Sequence, residues 1–323
     1  MTSPRSTLPF SVALDDLPPS LKGGTVAIGN FDGVHRGHQA VLARALTEAR
    51  PALALTFEPH PRTFFGRGPL FRLTPPAVKA RVMAALGLDA LVVARFDAHF
   101  AGLTAEGFVR EILVERLGAR TVVVGDNFNF GAGRAGDTEW LAAAAASYGF
   151  RVDVVEGVGD ADEGIVSSSR IRKALAAGEL DGAATLLGYR YTVEAEVVHG
   201  EKRGRTIGFP TANQALGDDN GLRNGIYAVR AKIDDVWRDG VASFGRRPTF
   251  DNGAPLLETF VFDYQDSLYG RTMPVTFVRF LRPELKFDGV DALVTQMHQD
   301  AADARASLAD LAPLSPLDRA VNF

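Results

Sequence analysis

The 323-residue sequence predicts an α/β chain in two parts. Residues 1–187 read as a doubly wound parallel sheet, and residues 188–323 as a small antiparallel β-barrel with a C-terminal helix. Three observations carry this. Short, continuous apolar runs alternate with helix-period segments through the first part, as strands buried on both faces alternate with crossover helices. From Tyr189 the apolar period falls to two, and turns rich in Gly, Asp and Asn separate the runs. In residues 289–308 the spacing becomes helical again, with Val290, Leu293, Val294, Met297, Ala301 and Ala304 on one stripe.

Taken in order, Thr25-Val26-Ala27-Ile28 is the first strand, and residues 39–50 carry Val41, Leu42, Ala45 and Leu46 on one helical side. Residues 52–57 form the second strand, closed by Pro59. Thr74-Pro75-Pro76 opens a helix with a capping candidate and an early proline; Val78, Val82 and Leu86 continue it and Gly87 stops it. Residues 90–94 are the third strand. Thr104 caps a helix that turns Phe108, Ile112 and Leu117 inward and ends at Gly118. Residues 121–125 are a strand, Asp137 starts a helix through Tyr148, and residues 150–156 are the fifth strand. A serine-capped helical pattern then runs through Leu175, Leu180 and Leu187 to Gly188. The second part has strands at residues 191–198, 225–233, 236–244, 256–263 and 273–280.

Composition bounds the function. With 46% hydrophobic and 23% charged residues the chain can bury real cores. Lys and Arg total 35 against 39 Asp and Glu, a net charge of -4, so there is no general attraction to nucleic acid or to anionic membrane, and phosphate binding has to be local. The absence of cysteine excludes disulfides, thiolate chemistry and cysteine-held metals. No apolar run is long enough for a membrane helix, and the expectation is a soluble, cytoplasmic protein with no nucleic-acid or membrane partner.

Chemistry concentrates at the carboxyl ends of the strands, where doubly wound sheets bind ligands. After the first strand comes Gly29-Asn30-Phe31-Asp32-Gly33-Val34-His35-Arg36-Gly37-His38. Glycines that admit close backbone approach, a helix N-terminus and two imidazoles three residues apart form a donor-rich cradle for phosphate. His60, between Pro59 and Pro61, follows the second strand; it either lines the site or stiffens a turn. Gly125-Asp126-Asn127-Phe128-Asn129-Phe130-Gly131 follows the fourth, and loop phenylalanines need a pocket or a core to sit in. Further on, Ser167-Ser168-Ser169-Arg170-Ile171-Arg172 gathers hydroxyls and cations at a helix start, a second anion cradle. In the second part, Gly200, Gly204 and Gly208 recur every fourth residue around Lys202, Arg203 and Arg205, and Phe209-Pro210-Thr211-Ala212-Asn213 follows. Such a loop can follow ATP phosphates with its amides, and Thr211 and Asn213 offer the hard oxygens that suit Mg²⁺ beside a triphosphate.

The H-x-G-H stretch resembles the nucleotidyltransferases of that name. In its longer form, with Ser167-Ser168-Ser169-x-x-Arg172 behind it, it resembles the bacterial bifunctional riboflavin kinase/FAD synthetases. This family usually has threonine where Ser169 stands, and an acid often occupies the slot of Asn127. The run G-x-x-x-G-x-x-x-G-F-P-T-A-N resembles the riboflavin kinase signature, supported by Gly225-Ile226-Tyr227-Ala228, Arg247-Pro248-Thr249-Phe250, Glu258 and Tyr269-Gly270-Arg271. The resemblance covers about residues 23–305. It implies a Rossmann-like FMN adenylyltransferase domain and a riboflavin kinase domain, acting on riboflavin, FMN and ATP with Mg²⁺ and no tightly bound prosthetic group. It further implies that Glu258 is the kinase base and that His35, His38, Asn127 and Arg172 stabilise charge during adenylyl transfer. Gly29, Phe31, Asp32, Gly33, Gly37, Ser168 and Ser169 fall to the nucleotide of the first domain; Gly200, Lys202, Gly204, Gly208 and Pro210 fall to that of the second. His60, Phe128 and Arg271 are assigned to flavin. Two alternatives stay open on the sequence: an H-x-G-H transferase for another phosphorylated substrate with a passive barrel, and a flavin- or nucleic-acid-binding barrel. Turnover of riboflavin with ATP, or a salt-dependent RNA shift, separates them.

Overall fold

The computed structural model describes residues 10–160, 164–200, 208–246 and 255–323. The chain divides into two compact units, one of Met1–Pro69 with Lys79–Val166 and the other of Leu70–Val78 with Ser167–Phe323.

The first unit is built on a parallel sheet of six strands in the order β1-β4-β3-β2-β5-β6. These are β1 (Ser11–Ala13), β2 (Thr25–Ile28), β3 (Ala52–Glu58), β4 (Ala90–Arg95), β5 (Thr121–Gly125) and β6 (Arg151–Val155). Helix α1 (Arg36–Leu46) links β2 to β3, and α3 (Pro76–Ala85) precedes β4; a single turn, α2 (Pro61–Phe64), lies between them. After β4 come α4 (Ala98–Gly102) and α5 (Ala105–Gly107), which runs on as a wider π-type helix over Phe108–Arg116. Helix α6 (Thr138–Tyr148) leads to β6. The apolar runs behave as expected of strands covered on both faces: all four residues of β2 are buried. The chain lays down β2, β3 and β4 in one direction and then returns to place β5 on the other side of β2. The strand order therefore reverses between β2 and β5, which brings the loops after those strands to the crevice where such sheets bind ligands. Strand β1, which pairs with β4 in parallel register, has no counterpart among the expected strands. At three residues it is too short to show a period. A two-stranded ribbon, β7 (Gly159–Asp160) and β8 (Gly164–Ile165), ends the unit.

In the second unit, α7 (Ser168–Ala177) and α8 (Leu180–Leu187) replace the single helix expected there. Gly178 separates them, at φ 78, a left-handed conformation that glycine takes readily at a helix end. A closed antiparallel barrel follows, ordered β10-β13-β12-β11-β14-β9. Its strands are β9 (Thr192–Val198), β10 (Ala212–Ala215), β11 (Gly225–Ile233), β12 (Val236–Arg246), β13 (Pro255–Val261) and β14 (Thr272–Arg282). Five were expected. The sixth, β10, is the end of the F-P-T-A-N run; it pairs with both β9 and β13 and closes the ring. On β13, Leu257, Thr259 and Val261 are buried while Leu256, Glu258 and Phe260 are half-buried, the alternation of a barrel wall. Helix α9 (Val290–Leu308) covers part of the outer wall, where Ala304 and Leu308 join Ala228, Val241 and Phe262, with Phe260 against them. A last helix, α10 (Pro316–Asn322), plugs into the barrel through a buried polar network centred on Asp318 and Asn322. No helix among the described residues is long and apolar enough to cross a membrane.

Candidate functional site

At the head of β2 the backbone coils tightly. The Gly29 N–H donates to the Leu55 carbonyl at 3.1 Å, which prolongs the β2–β3 pairing by one residue. Phe31, Gly33 and Val34 then take positive φ values of 48, 93 and 37. The left-handed region suits Gly33, but a phenylalanine and a β-branched valine there cost about 1–3 kcal/mol each. Both are held by burial, with Phe31 1% and Val34 0% exposed. The outcome is a strained loop that delivers His35 to the start of α1.

His35 caps that helix: its Nδ1 accepts the His38 N–H at 3.4 Å. An accepting Nδ1 leaves the ring proton on Nε2. The two imidazoles stack, centroids 3.6 Å apart and planes 18° apart, and the edge of Phe31 meets His38 at 5.4 Å. His38 Nδ1 is buried and has no hydrogen-bond partner among the described residues. Burial first, then the neighbouring His35, then Lys79 hold the His38 pKa well below the ordinary histidine value. The pair thus joins a His38 ring held neutral to a His35 ring whose Nδ1 is an acceptor, and their remaining N–H groups are donors. Gly37 allows it, because a Cβ there would stand 3.2 Å from the His35 ring.

Two further clusters flank this loop. Asn127 is exposed at the end of β5, and Asn129 donates to its carbonyl at 2.9 Å. Phe128 stacks on Phe130, centroids 5.4 Å apart, and Phe130 is buried against Phe108 and Trp140. Phe130 therefore anchors the loop in the core, and half-buried Phe128 is presented from it. After β3, His60 Nδ1 accepts the Arg62 N–H at 3.1 Å and caps α2.

Beneath the loop lies a residue that sequence reasoning passed over. Lys79 is 2% exposed; its ammonium donates to the Asn30 carbonyl at 2.9 Å and to Thr56 Oγ1 at 3.3 Å. In the sequence it sits beside Val78 in a helix read for its apolar stripe, and nothing marked it as buried.

In the second unit, Ser167 caps α7 by accepting the Arg170 N–H at 3.4 Å, and Ser168 and Ser169 open the helix. Arg172 is half-buried, and its Nε donates to the Phe71 carbonyl at 2.7 Å.

On the barrel, Asn213 of β10 stands directly opposite Glu258 of β13, and Ser243 of β12 stands opposite Glu258 on its other side. Directly paired residues share a face, with Cα atoms about 4.5–5.5 Å apart. Thr211, two residues before Asn213, accepts its amide through the backbone carbonyl at 3.2 Å. Asn213 is 5% exposed, and its Oδ1 is buried with no hydrogen-bond partner among the described residues. Gly200 lies against this amide: a Cβ there would come within 2.6 Å of Asn213 Nδ2. Gly208 turns with φ 88, and Phe209 is buried against Phe260 and His298. Pro210 is exposed. Lys202 and Gly204 lie outside the described residues, as does the Arg247-Pro248-Thr249-Phe250 run. Arg271 is paired with Asp234 of the β11–β12 turn. Glu284, from the Arg282-Pro283-Glu284 run, was not singled out by its sequence. Its carboxylate covers Gly245, and burial together with the nearby Glu258 carboxylate raises its pKa. An exposed glutamate after a strand looks like any solvated charge in sequence.

An orphaned, buried amide oxygen beside a carboxylate and a threonine is a set of hard oxygens of the kind Mg²⁺ takes beside phosphates. A stacked pair of imidazoles at a helix N-terminus is a set of donors for phosphate oxygens.

Two family models match the chain: FAD synthetase over residues 17–170 and riboflavin kinase over residues 187–308. A bifunctional riboflavin kinase/FMN adenylyltransferase from Listeria monocytogenes is 40% identical over 292 residues, 88% of this chain and 92% of that protein. One of the same description from Pseudomonas fluorescens is 39% identical over 309 residues, 92% of this chain and 96% of that protein. A solved structure described as a macrolide-efflux protein from Streptococcus pneumoniae is 30% identical, with a TM-score of 0.79, and the match covers 94% of this chain and 100% of that one.

Proposed function

Because the chain belongs to the bifunctional riboflavin kinase/FMN adenylyltransferase family, we propose that its two units divide the two reactions. The protein is a transferase that phosphorylates riboflavin to FMN with ATP and then adenylylates FMN with a second ATP, giving FAD and pyrophosphate. The barrel carries the first step and the parallel-sheet unit the second, with the functional boundary near residue 187.

In the kinase step Glu258 takes the proton of the ribityl 5′-hydroxyl, and the freed oxygen attacks the γ-phosphorus of ATP as ADP leaves. Mg²⁺, when bound, neutralises triphosphate charge; Thr211 and Asn213 would hold it, and Gly200 keeps the Asn213 amide in place. Gly204 and Gly208 give the phosphates close backbone access, Lys202 adds charge, and Pro210 stiffens the exit of the loop. The face-to-face pairing of Asn213 with Glu258 is the observation that carries this reading.

In the adenylylation step an FMN phosphate oxygen attacks the α-phosphorus of ATP and pyrophosphate departs. No covalent intermediate with the protein is required. The ring N–H groups of His35 and His38 donate to the phosphate oxygens where charge builds, with the amides around Gly29 to Gly33 and the helix N-terminus behind them. Asn127, Ser168, Ser169 and Arg172 add donors, Phe128 and His60 serve the flavin of this step, and Arg271 serves the flavin of the kinase step.

The test is incubation with riboflavin, ATP and Mg²⁺, with FMN and FAD separated over time. FMN should rise first and FAD follow; folded protein that makes neither flavin product would refute the reading.

A further inference from the structure

Lys79 is a buried charge in the parallel-sheet unit that neither half-reaction has yet used. An ammonium taken out of water costs several kcal/mol unless it is well hydrogen-bonded, and a methionine of the same length would fill the space with none of that cost. Its position accounts for its presence. The Asn30 carbonyl, which it meets at 2.9 Å, opens the strained stretch through Phe31, Gly33 and Val34. Thr56 Oγ1 donates to the same carbonyl at 3.1 Å, so one peptide oxygen is held from two sides by groups on β3 and α3. Further along the loop the Val34 N–H donates to the Phe31 carbonyl at 3.3 Å and the Gln39 amide donates to the Val34 carbonyl at 2.8 Å, while the two positive-φ side chains oppose its geometry. A fixed point at Asn30 offsets that opposition.

We propose that Lys79 is a positioning residue of the nucleotidyl-transfer site, whose ammonium pins the Asn30 carbonyl and supplies built-in positive charge beneath the phosphate cradle. The inference rests on the reading that His35 and His38 receive phosphate there. Its chemical logic follows from the ligands, since a triphosphate and a flavin phosphate bring several negative charges to one loop. An imidazolium could balance them, but it would gain and lose its proton near neutral pH. Lys79 places its ammonium beneath the loop without contacting substrate, and its field disfavours a second positive charge on the ring above. Among the influences that lower the His38 pKa, Lys79 follows burial and His35. Other ionisable groups nearby in the chain include Asp32, buried in the loop, Arg36, exposed at the first position of α1, and the half-buried Glu58 on β3 and Arg81 on α3.

Three variants separate anchoring from charge. Lys79→Gln keeps a donor but no charge, Lys79→Arg keeps the charge, and Lys79→Met keeps neither. The readouts are the NMR titration of the His35 and His38 rings in ligand-free protein, and the pH profile of FMN adenylylation. Riboflavin phosphorylation by the barrel serves as the internal control for folding. In Lys79→Gln and Lys79→Met the His38 titration should move up toward the ordinary value, and the acid limb of adenylylation should move with it. A shift of one pH unit lowers activity on that limb about tenfold. Lys79→Arg should titrate like the parent protein. Lys79→Met should also lose adenylylation at high pH, where charge on His38 is no longer at issue, because the loop has lost its anchor. Unchanged ring titrations and an unmoved pH profile in Lys79→Gln would overturn the proposal, and so would full adenylylation by Lys79→Met. Should Lys79→Met fail to fold, Lys79→Gln alone decides. His38→Gln is measured alongside: if it still makes FAD at the parent rate, the assignment of the imidazole pair fails, while the His35 ring titration in the Lys79 variants still tests the field of the lysine.

Discussion

The Asn213 amide occupies the space that a side chain at Gly200 would need: a Cβ on Gly200 would lie 2.6 Å from Asn213 Nδ2 and 2.8 Å from Oδ1. The first glycine of the recurring-glycine loop thus has a packing reason, separate from any contact with phosphate. Asn213 is 5% exposed and paired on both sides, to Val198 and to Glu258, so it has little room to yield. Gly200→Ala should therefore lower riboflavin phosphorylation about a hundredfold, the scale of a misplacement near 1 Å. FMN adenylylation should be untouched. Separate assays of the two steps check this, and equal loss in both would contradict it.

Glu258 pairs with Asn213 on one side and Ser243 on the other. If it is the base of the kinase step, Glu258→Gln should cut FMN formation by about 10²–10⁴-fold while FAD formation from supplied FMN continues. Normal phosphorylation by the variant would remove it from that role.

His38→Ala should have the reverse effect, with FAD formation abolished and FMN formation retained. A well-folded variant that loses both products would argue against a division of the reactions between the units.

The same residue makes the stability of the first unit sensitive to pH. The His38 pKa is depressed in the folded chain, chiefly by burial. As pH falls, the unfolded chain takes up this proton first, and the folded chain resists it. The stabilisation is complete above the ordinary value of 6.5 and is lost as pH falls toward the depressed folded value. Denaturant unfolding of the first unit should show midpoints falling below about pH 6.5, with a shallower slope in His38→Phe. Parallel slopes in the two proteins would exclude His38 as the source.

Helix α10 is tied to the barrel by Asp318, which is fully buried. Its carboxylate receives the Arg190 N–H at 2.9 Å, the Arg190 guanidinium, the Leu314 N–H at 2.9 Å and the Asn322 amide at 2.9 Å. Asn322 in turn accepts from Thr192 at 2.9 Å and Thr276 at 3.1 Å. Removing one partner of a buried ion pair leaves the other uncompensated, at a cost of about 3–5 kcal/mol. Asp318→Ala should lower the melting temperature of the barrel by roughly 10 °C, read by calorimetry. Asp318 and Asn322 themselves lie past residue 308, where the riboflavin kinase match ends, so the Asp318 substitution should change stability far more than rate.

The sequence by itself determined the class of the fold, the alternation of strand and helix, the change of period at Tyr189 and the two signature loops. Those are local properties: an apolar run, a capping serine or a glycine every fourth residue needs no knowledge of what lies across the sheet. The tertiary structure alone decided three things. It set Asn213 opposite Glu258, because β10 is four residues long and its register comes from β9 and β13 on either side. It drove Lys79 beneath the Asn30 loop, because burial depends on what packs over a helix face and not on the face alone. It brought Glu284 over Gly245, although the two lie on separate segments of the chain. In each case the deciding interaction joins residues distant in sequence, and spacing along a single chain carries no information about it.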